Sequence, residues 1–188
     1  LRTGQHAHQA WRQQFGIAQF QRIDGRPATH FPRQSGKERL QLGVGHGAKI
    51  TGRIGQDALQ LLTNAHFVVI GLGGVGTWVA EALARSGVGE LTLIEMDEVC
   101  VTNTNRQSHA LKSNLGLSKN QVITERLRDI NPELVIHSIE DFIDQDNMKN
   151  LIGKQHHVVI DAIDAAHLKA RLVAYCLAIK VRLITIGS

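Results

Sequence analysis

His66-Phe-Val-Val-Ile-Gly-Leu-Gly-Gly-Val-Gly76 decides the fold. His66–Ile70 runs apolar up to a glycine, as in a strand buried inside a parallel sheet. Gly71-Leu-Gly-Gly-Val-Gly76 follows at once and fits the GxGxxG fingerprint. Val75–Ser86 then reads as a helix, with Val75, Val79, Ala82 and Leu83 on one face and Gly87 as its terminating residue. Strand, glycine turn and helix are the setting this fingerprint requires. Gly71 permits the tight turn, Gly73 and Gly74 let backbone N–H groups approach a phosphate, and Gly76 lets helix and strand pack closely. The helix N-terminus adds free N–H groups and a favourable dipole for an anion. These residues point to a bound nucleotide without choosing between NAD and ATP.

The pattern continues outward on both sides. Gln56–Thr63 reads as a short helix before the first strand, and Glu90–Ile94 as the second strand. Lys119–Ile130 is helical, with Ile123, Leu127 and Ile130 on one stripe and Asn131-Pro132 as its stop. Leu134–Ile139 reads as a strand, Gln145–Leu151 as a short helix and His157–Ile163 as a buried strand. Leu168, Leu172, Tyr175, Cys176 and Ile179 form a helical stripe, and Leu183–Ile186 a last strand. Alternation of this kind implies an α/β, Rossmann-like fold: a mostly parallel sheet with helices on both faces. The chain stops directly after that strand, so the expectation is a piece of a larger protein.

The 188 residues suit one domain, and 43% apolar with 20% charged residues places it among globular chains. Aromatics at 4% argue against a stacking platform for single-stranded nucleic acid. Residues 1–50 hold eight Lys/Arg against two Asp/Glu, whereas the rest is slightly acidic. This irregular basic segment reads as an aberrant or solvated stretch, or as an arm that touches RNA. The fingerprint domain is expected over residues 51–188. Neither Cys100 nor Cys176 belongs to a CxxC pair, so both are expected to be buried free thiols and no zinc site is readable. No apolar run is long enough to span a bilayer and no signal peptide opens the chain, so a cytoplasmic protein is expected.

Downstream residues bear on which nucleotide is held. An acidic residue ending the second strand should bind the ribose hydroxyls. Glu95 stands there, with Asp97 two residues on. Asp97-Glu-Val-Cys-Val-Thr-Asn-Thr-Asn-Arg-Gln107 brings Asn103 and Arg106 onto one turn. Lys119 opens a helix, where a cation is unfavourable and so hints at function. Asp161-Ala-Ile-Asp164 ends the fourth strand, at the carboxyl side where such sheets bind ligands. A triphosphate suits this set: Arg106 and Lys119 to neutralise charge, and Asp164 to hold Mg²⁺.

GxGGxG, acidic-x-Asp-x-Val, Asn-x-x-Arg-Gln, Gly-x-x-Lys and Asp-x-x-Asp occur here in series, and the chain therefore resembles the E1-like ThiF/MoeB/HesA family. Ala10-Trp-Arg-Gln-Gln-Phe-Gly16, Ala82-Leu-Ala-Arg-Ser-Gly87, Ile130-Asn-Pro132 and Val159-Ile-Asp-Ala-Ile-Asp164 make it similar to the branch that dehydrates threonylcarbamoyladenosine in bacterial tRNA. The resemblance implies ATP and Mg²⁺ as cofactors. Gly71, Gly73, Gly74 and Gly76 would cradle ATP, Glu95 and Asp97 would lie at the ribose, and Asn103, Arg106 and Lys119 at the phosphates. Arg106, Lys119 and Asp164 would carry catalysis, Asp164 as the magnesium-linked residue. It further implies a tRNA substrate, a homodimer and sulfur-transfer partner proteins. Three departures stand out. The ribose position is usually Asp in this family. Residues 17–50 interrupt the match, which makes Arg53 the displaced arginine that reaches ATP. The family's C-terminal part is missing after Ser188. Open alternatives are adenylation of a ubiquitin-like sulfur-carrier protein, an NAD-binding oxidoreductase, and an inactive fragment.

Overall fold

The computed structural model describes residues 54–186. The basic segment 1–50 and Arg53 therefore lie outside the described residues. The elements are α1 (Gln56–Thr63), β1 (His66–Ile70), α2 (Gly76–Arg85), β2 (Glu90–Ile94), α3 (Lys119–Ile130), β3 (Val135–Ile139), α4 (Met148–Leu151), β4 (Val158–Asp161), α5 (Ala166–Ile179) and β5 (Arg182–Thr185). Two short 3₁₀ turns, Val101–Asn103 and Lys112–Asn114, sit between β2 and α3.

All five strands are parallel and run in the order β3-β2-β1-β4-β5. Parallel strands buried on both faces need apolar residues throughout, and Val68 and Val69 in the central strand are both fully buried. Their side chains point to opposite faces, so one sheet supports two cores. On one face, Val69, Leu91, Leu93 and Ile160 meet Ala80 and Ala84 of α2 and Ile123 and Leu127 of α3. On the other, Val68, Ile70, Ile94 and Val159 meet Met148, Ile152, Leu172 and Cys176 from α4, the turn after it and α5. The α/β, Rossmann-like sheet with helices on both faces is thus the observed architecture.

Helix ends follow local chemistry. Gly87 takes φ +79° just past α2, a conformation glycine adopts without a Cβ penalty. Ser118 caps α3 by accepting from the Gln121 N–H at 3.4 Å. The helix expected over Gln145–Leu151 begins only at Met148. Asp144 Oδ1 accepts from the N–H groups of Asp146 and Asn147, each at 2.8 Å, which locks residues 144–147 into a turn.

The chain lays β2 and β3 to one side of β1, then crosses to the other side for β4. The carboxyl ends of β1 and β4 therefore flank a crevice at the point where strand order reverses, the usual ligand position in such sheets.

Candidate functional site

Gly71 lies in that crevice with φ +87°, and a Cβ on it would meet the Ala162 carbonyl oxygen at 3.0 Å. The turn leaving β1 therefore packs against the segment leaving β4. Gly76 is tighter still: a Cβ there would lie 1.7 Å from the Gly71 carbonyl oxygen. This contact sets how closely α2 approaches β1. Gly73 is different, because a Cβ on it would have no neighbour within 4 Å. Its backbone faces open space at the start of α2, where N–H groups lack helical partners.

Glu95 holds this loop in place. Its Oε2 accepts from the Leu72 N–H at 2.8 Å, and Oε1 accepts from the Met96 and Asp97 N–H groups, each at 2.9 Å. The carboxylate is buried and ties the glycine turn after β1 to the bend after β2. Lys119 stands beside it, also buried, with Nζ 3.7 Å from Glu95 Oε2 and 2.7 Å from Asp97 Oδ2. These two acids offset the cost of a cation in the first turn of α3. Asp97 remains largely exposed beyond them.

Arg106 reaches the loop from the segment after β2. Its stem lies against Gly74, where a Cβ would sit 3.1 Å from Arg106 Cγ. The guanidinium is exposed and donates from Nη1 to the Thr102 carbonyl at 3.2 Å and to Asn105 Oδ1 at 3.0 Å. Asn103 is turned toward its own backbone: Oδ1 accepts from the Cys100 N–H at 2.9 Å and closes the 3₁₀ turn. Asp164 follows β4 and is exposed. Asp161, three residues earlier, is fully buried. Its Oδ1 accepts from the Ile163 N–H at 3.0 Å and faces Lys169 Nζ at 3.1 Å.

The structure therefore groups the glycine loop, Glu95, Asp97 and Lys119 through direct contacts, and seats Arg106 on the loop. Asn103 and Asp164 lie on the segments that follow β2 and β4. The expectation of two buried thiols is corrected: Cys176 is buried, but Cys100 is exposed. Cys100 is the capping residue of a 3₁₀ turn, and hydrogen bonding with Thr102 draws its thiol below the usual range.

Three site-building residues escaped the reading of the sequence. Asn120 is fully buried and donates from Nδ2 to the Glu95 carbonyl at 2.8 Å and to the Ile139 carbonyl at 2.7 Å, bridging the ends of β2 and β3. Lys169 bonds Asp161 and also donates to the Ile186 carbonyl at 2.9 Å. A lysine inside an apolar stripe was the available signal for it. His109 is buried with neither ring nitrogen bonded, and burial, aided by Lys119, lowers its pKa to about 4. Its signal was a histidine beside the Asn-x-x-Arg-Gln run.

Comparison with known proteins agrees with this geometry. The ThiF family model matches residues 46–188. The chain is 53% identical over 134 residues to the tRNA threonylcarbamoyladenosine dehydratase of Escherichia coli K12, covering 71% of this chain and 50% of that protein. It is 37% identical to the molybdopterin-synthase adenylyltransferase of Salmonella typhimurium, over 70% of this chain and 51% of the relative. A crystal structure of the E. coli dehydratase in complex with ATP superposes with a TM-score of 0.73 at 50% identity, covering 74% of this chain and 58% of that one. The chain spans about half the length of these curated relatives. With a family model across most of its length and a site built on that family's motif series, the chain belongs to the ThiF family.

Proposed function

We propose that this chain binds Mg²⁺·ATP at the glycine loop and, with tRNA as substrate, adenylylates the carboxylate of threonylcarbamoyladenosine, which then cyclises with loss of water. The observation that carries the reading is the Glu95–Lys119–Asp97 cluster locked onto the glycine loop by the 2.8 Å bond to the Leu72 N–H. A dehydrogenase has no use for a buried lysine at this place, whereas a triphosphate does. The 53% identity to the E. coli dehydratase supports the nucleic-acid substrate.

In this reading, Gly73 and Gly74 admit the phosphates to the N–H groups at the start of α2. Glu95 uses three of a carboxylate's roughly four acceptor positions on backbone N–H groups, which leaves room for one ribose hydroxyl. Lys119 exchanges Asp97 for phosphate oxygen, and Arg106 swings from Thr102 and Asn105 onto the same anion. Asn103 holds the turn that presents Arg106. Arg53 is assigned to ATP by its motif position. Magnesium favours oxygen ligands and takes only one or two carboxylates beside phosphates and water. Asp164 fits that demand, being an exposed carboxylate at the crevice. When bound, the ion would neutralise phosphate charge.

The substrate carboxylate is already ionised and needs no general base. It attacks the α-phosphorus, and pyrophosphate leaves. Intramolecular attack on the acyl adenylate then closes the ring and releases AMP. Such a site works by positioning and charge neutralisation. We place the reaction in the cytoplasm and in a homodimer, with the domain over residues 51–188. Sulfur-transfer proteins are the candidate further partners, in line with the likeness to a molybdopterin-synthase adenylyltransferase. No helix among the described residues is long and apolar enough to cross a membrane.

The test is incubation with ATP, Mg²⁺ and tRNA bearing threonylcarbamoyladenosine, followed by mass spectrometry of the nucleosides. The cyclised, dehydrated nucleoside is expected, with AMP formed in equal amount. Unchanged nucleoside, together with adenylate on the C-terminus of an added sulfur-carrier protein, would replace this reading with the other adenylation.

A further inference from the structure

The amino end of the sheet, opposite the glycine loop, carries a cluster of histidines that the proposed reaction does not use. His66 opens β1 directly across from Glu90, which opens β2, and His137 on β3 stands across from Thr92. Side chains alternate along strands, so His66, Glu90, Thr92 and His137 share one face. His66 Nδ1 lies 3.5 Å from Glu90 Oε2, and His137 Nε2 lies 2.8 Å from Glu90 Oε1. One donor atom from each of the three falls within 4.8 Å of the others.

The surroundings of His66 are those of a held ligand. Its Nε2 sits 2.8 Å from Thr92 Oγ1, which can accept the Nε2 hydrogen and leave the Nδ1 lone pair facing Glu90. A second hydrogen bond of this kind fixes tautomer and ring orientation in metal-binding histidines. The buried His156 ring packs edge-on at 4.5 Å, and His157 Nδ1 accepts from the His66 backbone N–H at 3.0 Å. Glu90 and His137 are partly exposed, at 41% and 49% of their side chains, and leave a way in for an ion. Around tetrahedral zinc, with Zn–N of about 2.0–2.1 Å, neighbouring donors lie roughly 3.3 Å apart. The His66–Glu90 pair already has that spacing, and the exposed His137 side chain supplies the remaining movement.

We propose that His66, Glu90 and His137 form a binding site for a divalent transition metal ion of the zinc class, with water completing its coordination. Two imidazoles and one carboxylate are a donor set that zinc takes. The ion would tie the amino ends of β1 and β2 to the middle of β3, away from the nucleotide crevice.

The experiment uses the full 188-residue chain, stripped with a chelator and titrated with Co²⁺ and then Zn²⁺. The Glu90→Gln and His137→Ala variants are treated in parallel, as controls for any metal held by the chain's other histidines. Both substituted side chains are partly exposed, so the stripped variants should melt close to the parent. The parent is expected to bind one more equivalent than either variant, with a tetrahedral Co²⁺ absorption that Zn²⁺ displaces. Zn²⁺ should raise the parent's Tm by several degrees and leave the variants' Tm unchanged. If His137→Ala fails to fold, Glu90→Gln decides. Equal stoichiometry and equal Zn²⁺ response in parent and variants would overturn the site, as would no uptake by the parent at micromolar metal.

Discussion

Substituting Gly73 and Gly76 by alanine, one at a time, separates what the loop does for folding from what it does for a ligand. A Cβ on Gly76 would lie 1.7 Å from the Gly71 carbonyl oxygen, half an ordinary contact distance, and that oxygen belongs to backbone. No rotamer relieves such a clash, so α2 must move off β1 and loosen Ala80 and Ala84 in the core. Overpacking of this kind costs about 1–3 kcal/mol. For a chain of this size that lowers Tm by roughly 3–9 °C. A Cβ on Gly73 meets nothing within 4 Å and the residue has no positive φ, so Gly73→Ala should change stability by less than about 0.5 kcal/mol. The same methyl would stand where phosphate must approach, and ATP should bind at least about tenfold more weakly, some 1.4 kcal/mol. Thermal melts and isothermal titration with Mg²⁺·ATP read the two effects. Undiminished ATP affinity in Gly73→Ala would rule out phosphate at Gly73, and an unchanged Tm in Gly76→Ala would rule out the close packing of α2 on Gly71.

Lys119→Ala removes the cation between Glu95 and Asp97; because Asp97 is largely exposed, the stability loss should stay near 1–3 kcal/mol. ATP-dependent cyclisation should vanish while the circular dichroism spectrum persists. Asp164→Ala touches only an exposed side chain, so Tm should hold within a degree or two while the magnesium dependence of ATP binding is lost; titrations with and without Mg²⁺ read this. His109 has a folded-state pKa of about 4 against 6.5, so the unfolded chain takes up the proton first. Its contribution is complete above pH 6.5 and fades as pH falls toward 4, a loss on the order of 1–2 kcal/mol at pH 5. Urea midpoints at pH 7.5 and pH 5 measure it, and His109→Leu should shrink the difference while leaving the share of His156, whose pKa burial likewise lowers to about 4.

The sheet was legible because burial on both faces leaves a mark along the chain. His66–Ile70, Glu90–Ile94 and Lys119–Ile130 have the same bounds in sequence and structure. The glycine loop was legible because each glycine answers a separate demand, visible as the close approaches of Gly71 and Gly76 and the open space at Gly73. Local polar turns were harder. Asp144 and Asn147 bond each other's backbone and delay α4, which an apolar pattern does not register. Cys100 lies between Val99 and Val101, yet Val99 is buried and Val101 exposed. A tight 3₁₀ turn faces successive residues in different directions, so apolar neighbours said nothing about the thiol. Asn120 bridging β2 to β3, and His66 meeting Glu90 and His137, depend on strand register between distant positions. One sequence carries no mark of those pairings before the sheet order is known.

Titration of the 188-residue chain with Mg²⁺·ATP and with NAD decides whether this glycine loop holds Mg²⁺·ATP. Saturable ATP binding at one site per chain is expected, with a rise in Tm with ATP and none with NAD, and with loss of the ATP response in Lys119→Ala. Binding of NAD in preference to ATP, or an ATP response that survives Lys119→Ala undiminished, would contradict it.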